Sequence, residues 1–274
     1  MTDAALGVRK VWQPLQAHLD NVGIDMGTVR SFAYPVLFAA GILALWEFLV
    51  TYFDYPSVIL PAPSLVWIAL IERFDLIWFH TVPTMRDSIA GFFVAVVLGI
   101  GFAAAITINK YVRDSIYPLL VTIQLVPKIA WTPLFVVWAG IGWESRMTIA
   151  TFIAFFPILI SMVSGLQSTD KSLVRLTTAL RASSWQTFWM VRLPASVPYF
   201  FNGCKIAITL AVIGVIVAEF ISSSEGLGFL ILLGASNFET DLILASITVL
   251  CLMGLAFYGL VQAADVLTNR WMFR

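Results

Sequence analysis

Histidine and cysteine, the side chains that most often ligate metals or act as bases and nucleophiles, number two each: His18, His80, Cys204 and Cys251. Both histidines fall outside the apolar runs, so a His-ligated metal site is not expected. Both cysteines fall inside such runs and read as small core residues rather than a disulfide or a metal pair. No glycine-rich segment is followed by Lys and Ser or Thr as a P-loop requires, and the GLGF at 226–229 has no basic neighbour. If ATP drives this protein, a separate subunit binds it together with its Mg²⁺. The lack of any nucleophile paired with a base argues against a membrane-embedded enzyme, so no catalytic residue, metal or bound cofactor is assigned.

The remaining chemically loaded side chains are charges set within apolar sequence: Glu47, Lys128, Lys205, Glu219 and Asp265. A charge in lipid costs roughly 2.5–3.5 kcal/mol on insertion scales, so by default it marks a functional or paired position. Lys128 lies about twelve residues into its run, near the bilayer middle at about 1.5 Å per residue. Pro127 and Pro133 nearby would leave backbone groups free. Lys128 either attracts an anionic solute or forms a structural ion pair, and the pair is the favoured reading. Glu219, near the external end of its run, is the candidate partner of Lys128 or part of an external gate. Glu47 and Lys205 lie near run ends and Asp265 closes the last run, where snorkelling or interface contact suffices.

The elements that carry these charges follow from composition. The chain of 274 residues is 60% apolar and 12% charged, with a mean hydropathy of +0.91, against about 45–50% and about 25% in an average soluble domain. A membrane is the expected solvent. Crossing it takes about 20 mainly apolar residues, and six runs qualify. Residues 88–109, 147–169 and 242–264 carry no charge; about 32–53, 116–140 and 200–222 carry one or two. The fold expected is therefore an all-α integral membrane protein of six transmembrane helices. Its parts are an N-terminal segment over 1–31, a membrane domain over 32–270 and a tail over 271–274. The first thirty residues hold Asp3, Arg9, Lys10, Asp20, Asp25 and Arg30 and no apolar core, unlike a cleaved signal peptide.

Orientation follows from Lys and Arg, which concentrate in cytoplasmic loops. On the side of the termini lie Arg9, Lys10, Arg30, Lys110, Arg113, Lys171, Arg175, Arg181, Arg192, Arg270 and Arg274; the opposite loops hold Arg73 and Arg146. Eleven against two places both termini in the cytoplasm. Sixteen basic residues balance sixteen acidic ones, so net charge points to no nucleic acid. In the external loop at about 54–82, Pro56, Pro61 and Pro63 end one element and a short helix follows, with Trp67 and Trp78 at interface depth. Gly226 and Gly228 mark a turn before FLILLG, which is too short to span. Glycines 99, 101, 254 and 259 are candidates for close helix approach. In the loop at about 170–199, Leu173, Leu176 and Leu180 recur at helical spacing, Ser183 to Gln186 reads as a capping box, and Pro194 and Pro198 stop the second element. Two short helices joined near Ala182 are expected.

The run LRASSWQTFWMVRLPASVP, from Leu180 to Pro198, resembles the coupling loop of binding-protein-dependent ABC importer permeases. Leu193 and Pro194 match the end of that motif, and Ala182, Ser183, Trp185 and Gln186 match its form in the nitrate, taurine and alkanesulfonate branch. LPAPSLVW at 60–67, AWTPLFVVWAGIG at 130–142, FFPILI at 155–160 and VAEFISSSEGLGFLI at 217–231 add to the likeness, which covers roughly 58–270. The front of the motif departs: Arg175, Leu176 and Thr177 stand where the family has Glu-Ala-Ala, and Arg181 stands where it has Gly. An arginine there would prevent the closest backbone approach to the ATPase and add a charge for an acidic partner.

The resemblance implies a type I ABC importer permease in a bacterial inner membrane. It would act with two ATPase subunits, a second permease copy or a paralogue, and an external solute-binding protein. Residues 170–199 would be the lever between ATPase and spans, with Arg175, Leu180, Arg181, Ala182, Ser183, Trp185, Gln186, Leu193 and Pro194 its candidate coupling residues. Lys128, Trp131 and Glu219 are the candidate pathway residues. The solute expected is small and anionic, nitrate-, sulfonate- or taurine-like, with a pyrimidine-type vitamin precursor as the alternative. A secondary transporter using Lys128 and Glu219 as coupling groups is the competing class; such folds often contain internal repeats, and none is evident here.

Overall fold

The structure, a computed structural model, describes residues 26–272; the expected segment 1–31 falls largely outside them, as do His18 and the last two residues. The regular structure of the described residues is all helical, joined by short turns, and they fall into two compact units that divide after Trp67. Helix α1 runs Met26–Tyr52 and α2 Pro63–Glu72, the short helix expected after the prolines. Glu47 is no free interfacial charge: its carboxylate accepts from the backbone N–H (2.9 Å) and the hydroxyl (2.7 Å) of Ser64. It thereby satisfies the first turn of α2, whose amide groups have no partner within the helix.

In the second unit come α3 (Phe74–Ile108), α4 (Lys110–Leu125), a 3₁₀ turn (Lys128–Trp131), α5 (Thr132–Ala139) and α6 (Trp143–Gln167). Then follow α7 (Lys171–Ala179), α8 (Ser184–Thr187), a π turn (Phe188–Arg192), α9 (Leu193–Ser222), α10 (Leu227–Ser236) and α11 (Thr240–Met272). Five described helical stretches are long and apolar enough to cross a membrane; a sixth crossing exists if the bent pair around residue 126 counts as one.

Helix α6 packs along α3 and α9, with α11 against α9. Small side chains set that spacing: Ala95, Ala150, Ala154, Ala207 and Ala211 are fully buried among Phe92, Ile158, Ile208 and Val212. A Cβ added at Gly99 would come within 2.7 Å of Ile158, whereas Gly101, Gly254 and Gly259 have open space around them. Only Gly99 of the four expected glycines permits a close helix contact. Cys204 joins this core, and Cys251 is exposed on α11, so the core reading holds for one cysteine of the two. Large apolar side chains also face outward, Val97 at 70% and Leu255 at 68% exposure among them, as lipid-facing or subunit-facing surface requires.

Three expectations are corrected. The run 116–140 is no continuous span: its two arms meet at 93°. Val126 is extended and Pro127, which cannot donate to the preceding turn, begins the 3₁₀ segment, so counting residues into a straight helix does not give the depth of Lys128. Helix α3 begins 14 residues before the expected 88, drawing His80, Arg86 and Asp87 into the helix. Arg86 thus joins Arg73 and Arg146 as a third basic residue preceding or opening the spans on that side. Finally, Pro194 and Pro198 stop nothing: Ser184–Ser222 runs as one helical stretch of 39 residues. The π turn directly before Pro194 supplies the wider spacing that accommodates a residue without an N–H.

Candidate functional site

The loop after α6 is built by strong local signals. The Asp170 carboxylate accepts from the Ser172 N–H at 2.8 Å and starts α7, and this bond holds its pKa below the usual carboxylate range. Helix α7 ends at Leu180 with Arg181 N–H donating to the Thr178 carbonyl and Ala182 N–H donating to the Thr177 carbonyl. These two bonds form a Schellman turn, whose first residue past the cap is left-handed and favours glycine. Arg181 occupies it at φ +55°. The family glycine at this position therefore has a local conformational reason, in addition to any approach of the ATPase.

Next, Ser183 and Gln186 form the expected capping box: Ser183 Oγ accepts from the Gln186 N–H (3.2 Å) and Gln186 Oε1 from the Ser183 N–H (2.8 Å). Trp185, 58% exposed, stacks on Phe188 at 5.5–6.0 Å ring spacing to its neighbours Trp189 and Phe188. Phe188 is 3% exposed and sits in a cluster with Ala103, Ile106, Leu159, Met162 and Leu166, against which Leu193 also packs. The loop is thus bolted by Phe188 and Leu193 to α3 and α6, while Leu176 (55%) and Leu180 (72%) face outward. Arg175 and Gln186 are exposed, and Ala182 and Pro194 half-buried. The expected loop residues consequently divide into an outer face (Leu180, Trp185) and an inner anchor (Leu193, Pro194).

Of the pathway candidates, Lys128 and Trp131 share the 3₁₀ turn and lean on the touching rings of Phe156 and Phe152 on α6, whereas Glu219 bonds elsewhere. Lys128 Nζ lies over the Phe156 ring at 5.1 Å, and among the described residues no carboxylate stands within ion-pairing distance of it. The favoured ion-pair reading is replaced by a cation–π contact. Trp131 leans on Phe152 at 5.9 Å. Glu219, 1% exposed, accepts from Thr84 Oγ1 and from the Gly228 N–H, both at 2.7 Å, and not from Lys128. Lys205 and Asp265, each expected to satisfy itself at the interface, pair with one another at 2.6 Å between α9 and α11.

A cluster that hydropathy did not reveal surrounds Glu219. Thr84 also accepts from the Leu227 N–H (2.8 Å), and His80 Nδ1 accepts from the Gly226 N–H (3.1 Å). Gly226 has φ +103°, and a Cβ there would overlap the Glu219 carboxylate. One turn deeper, Asp87 is fully buried and accepts from Arg146 Nε (2.6 Å) and Arg86 Nε (2.8 Å). Arg146, 3% exposed, also donates to Glu225 (2.7 Å) and to Ser223 (2.9 Å). Two cations and two carboxylates so tie α3, α6 and the 222–226 turn together, the arrangement that makes buried charge tolerable. The available signal was the adjacent Arg86-Asp87 pair just before an apolar run, which reads as a loop until Arg146 is known to face it.

Residues 95–274 match the family described as binding-protein-dependent transport system inner membrane component. The formylaminopyrimidine transport permease protein of Halalkalibacterium halodurans is 30% identical over 86% of this chain and 95% of its own length. The taurine transport system permease protein of Escherichia coli is 28% identical over 78% and 80%. A chain of the MetNI methionine ABC transporter, solved in inward-facing conformations, superposes with a TM-score of 0.63 at 17% identity, over 74% of this chain and 99% of that one. The protein therefore belongs to the binding-protein-dependent transport inner membrane family and is a multi-pass ABC importer permease.

Proposed function

We propose that the chain forms half of the solute pathway of an importer in a bacterial inner membrane, working with two ATPase subunits, a second permease copy or paralogue, and an external binding protein. On this reading both termini and the loop over residues 168–192 face the cytoplasm, following the Lys and Arg distribution. The observation that carries the reading is mechanical. The loop leaves Leu173, Leu176 and Leu180 exposed along one face of α7, while Phe188 and Leu193 further on fasten it to α3 and α6. A force applied to α7 reaches the spans through the chain on either side of it: the turn at Leu180–Ser183 leads to the anchored Phe188 and Leu193, and Asp170 joins it to the end of α6. ATP hydrolysis belongs to the partner subunits.

The solute is small. An anionic, taurine- or sulfonate-like solute is the leading reading, supported by the taurine relative and by Lys128, which no carboxylate among the described residues pairs with. The pyrimidine relative supports a vitamin precursor as the second reading. The test of coupling is co-purification of the ATPase with the tagged chain, comparing wild type with L176D/L180D. Both leucines are exposed, so the fold should survive, whereas Leu193 and Pro194 are inner residues whose loss would confuse docking with packing. Loss of the ATPase from the variant is expected; undiminished capture and ATP hydrolysis would overturn the coupling assignment.

A further inference from the structure

Beside the coupling face, α7 carries a second face of different chemistry. Lys171, Val174 and Arg175 recur at helical spacing and line a hollow of about 430 Å³ with Leu166, Gln167 and Thr169 from the end of α6, Arg113 from the first turns of α4, and Arg192 from the π turn. Among the described residues four cations and no carboxylate line this hollow. Arg113 is paired with Asp114 at 3.4 Å, a pair in which both side chains are about half exposed. Arg192 Nη1 donates to the Thr107 carbonyl at 3.4 Å. Among the described residues no carboxylate lies within ion-pairing distance of Lys171, Arg175 or Arg192. Arg175 is also the position at which the resembled motif carries Glu, so the hollow has a fourth cation where that motif would place a carboxylate.

We propose that this hollow is a binding site for a phosphate-class oxyanion, held by Arg175, Arg192, Lys171 and Arg113. Like charges gathered in a concavity repel one another, and a phosphate group offers three or more acceptor oxygens, enough to accept from several forked guanidinium donors at once where a carboxylate offers two. The hollow lies where α6 ends and α4 begins, the level at which spans leave the apolar layer. Its phosphate is supplied either by an anionic phospholipid headgroup or by free phosphate. An acidic side chain of the ATPase is disfavoured because Lys171 and Arg175 stand on a different face of α7 from Leu173, Leu176 and Leu180; that preference rests on the coupling reading, whereas the site itself does not.

The experiment uses the full purified chain in nanodiscs of phosphatidylcholine alone or with phosphatidylglycerol. Native mass spectrometry reads retained lipid, and calorimetry in the phosphatidylcholine discs reads binding of inorganic phosphate. Wild type is compared with R175E and R192Q, and with R270Q, which removes a charge from the end of α11 outside the hollow; circular dichroism checks that each variant is folded. Expected is selective retention of phosphatidylglycerol, or phosphate binding without it, weakened about tenfold or more in R175E and unchanged in R270Q. Lipid retention without phosphate binding identifies the headgroup as the source, and the converse identifies the free anion. Equal behaviour of wild type, R175E and R270Q would overturn the proposal. So would failure of wild type to bind either anion.

Discussion

Replacing Asp87 by Asn tests whether the buried charges act as one unit. Asp87 accepts two charge-assisted bonds, from Arg146 Nε at 2.6 Å and Arg86 Nε at 2.8 Å, each worth about 1.5–3 kcal/mol where water is excluded. Arg86 is 55% exposed, so its share falls to about 0.2–1 kcal/mol, whereas Arg146 is 3% exposed and bears the full loss. Together these give a destabilisation of about 2–4 kcal/mol for D87N. R146Q should cost about as much, since it strands Asp87 without its buried partner. In D87N/R146Q both buried charges are gone, and Arg86 and Glu225, at 55% and 39% exposure, can turn to water. The double variant should therefore be more stable than the sum of the singles predicts by about 1–3 kcal/mol. Denaturant unfolding in detergent, followed by tryptophan fluorescence, gives the four values. Additivity within about 0.5 kcal/mol would refute the idea that Asp87 and Arg146 stabilise each other.

Three further outcomes follow from other sites. G226A should destabilise by about 3 kcal/mol or more, because it combines a left-handed φ with overlap of the Glu219 carboxylate; adding E219A should recover part of the loss in the same unfolding assay. R181G should stabilise the loop by about 1 kcal/mol by relieving the left-handed cap, whereas R181A should not, and limited proteolysis of the 168–192 loop reports the difference. K128M should leave stability within about 1 kcal/mol, the scale of its contact over Phe156, while raising the half-saturation concentration for an anionic solute in uptake assays. An unchanged value would remove Lys128 from the pathway.

Much of the scaffold was legible because it rests on local rules. Three charge-free runs gave the centres of α3, α6 and α11, and the spacing of Ser183 and Gln186 gave a real capping box. What hydropathy missed depends on partners distant in sequence. Asp87 and Arg146 read as ends of apolar runs, yet each is buried because the other neutralises it across 59 residues. Lys205 and Asp265 likewise looked self-sufficient until α9 and α11 brought them together. The break in 116–140 did have a local signal in Pro127, which an apolar window averages away. For the coupling loop, the inner and outer residues were indistinguishable in sequence, because Leu180 and Leu193 differ only in what packs against them.

On the proposed function, a separate ATPase drives solute movement through the outer face of α7. The most direct measurement is uptake into proteoliposomes holding the chain with its ATPase and binding protein, with ATP present or withheld, for wild type and L176D/L180D. Expected is uptake that requires ATP and both partners and is abolished in the variant although the protein stays folded. Uptake by the chain alone under an ion gradient, with no ATP and no ATPase, would contradict it.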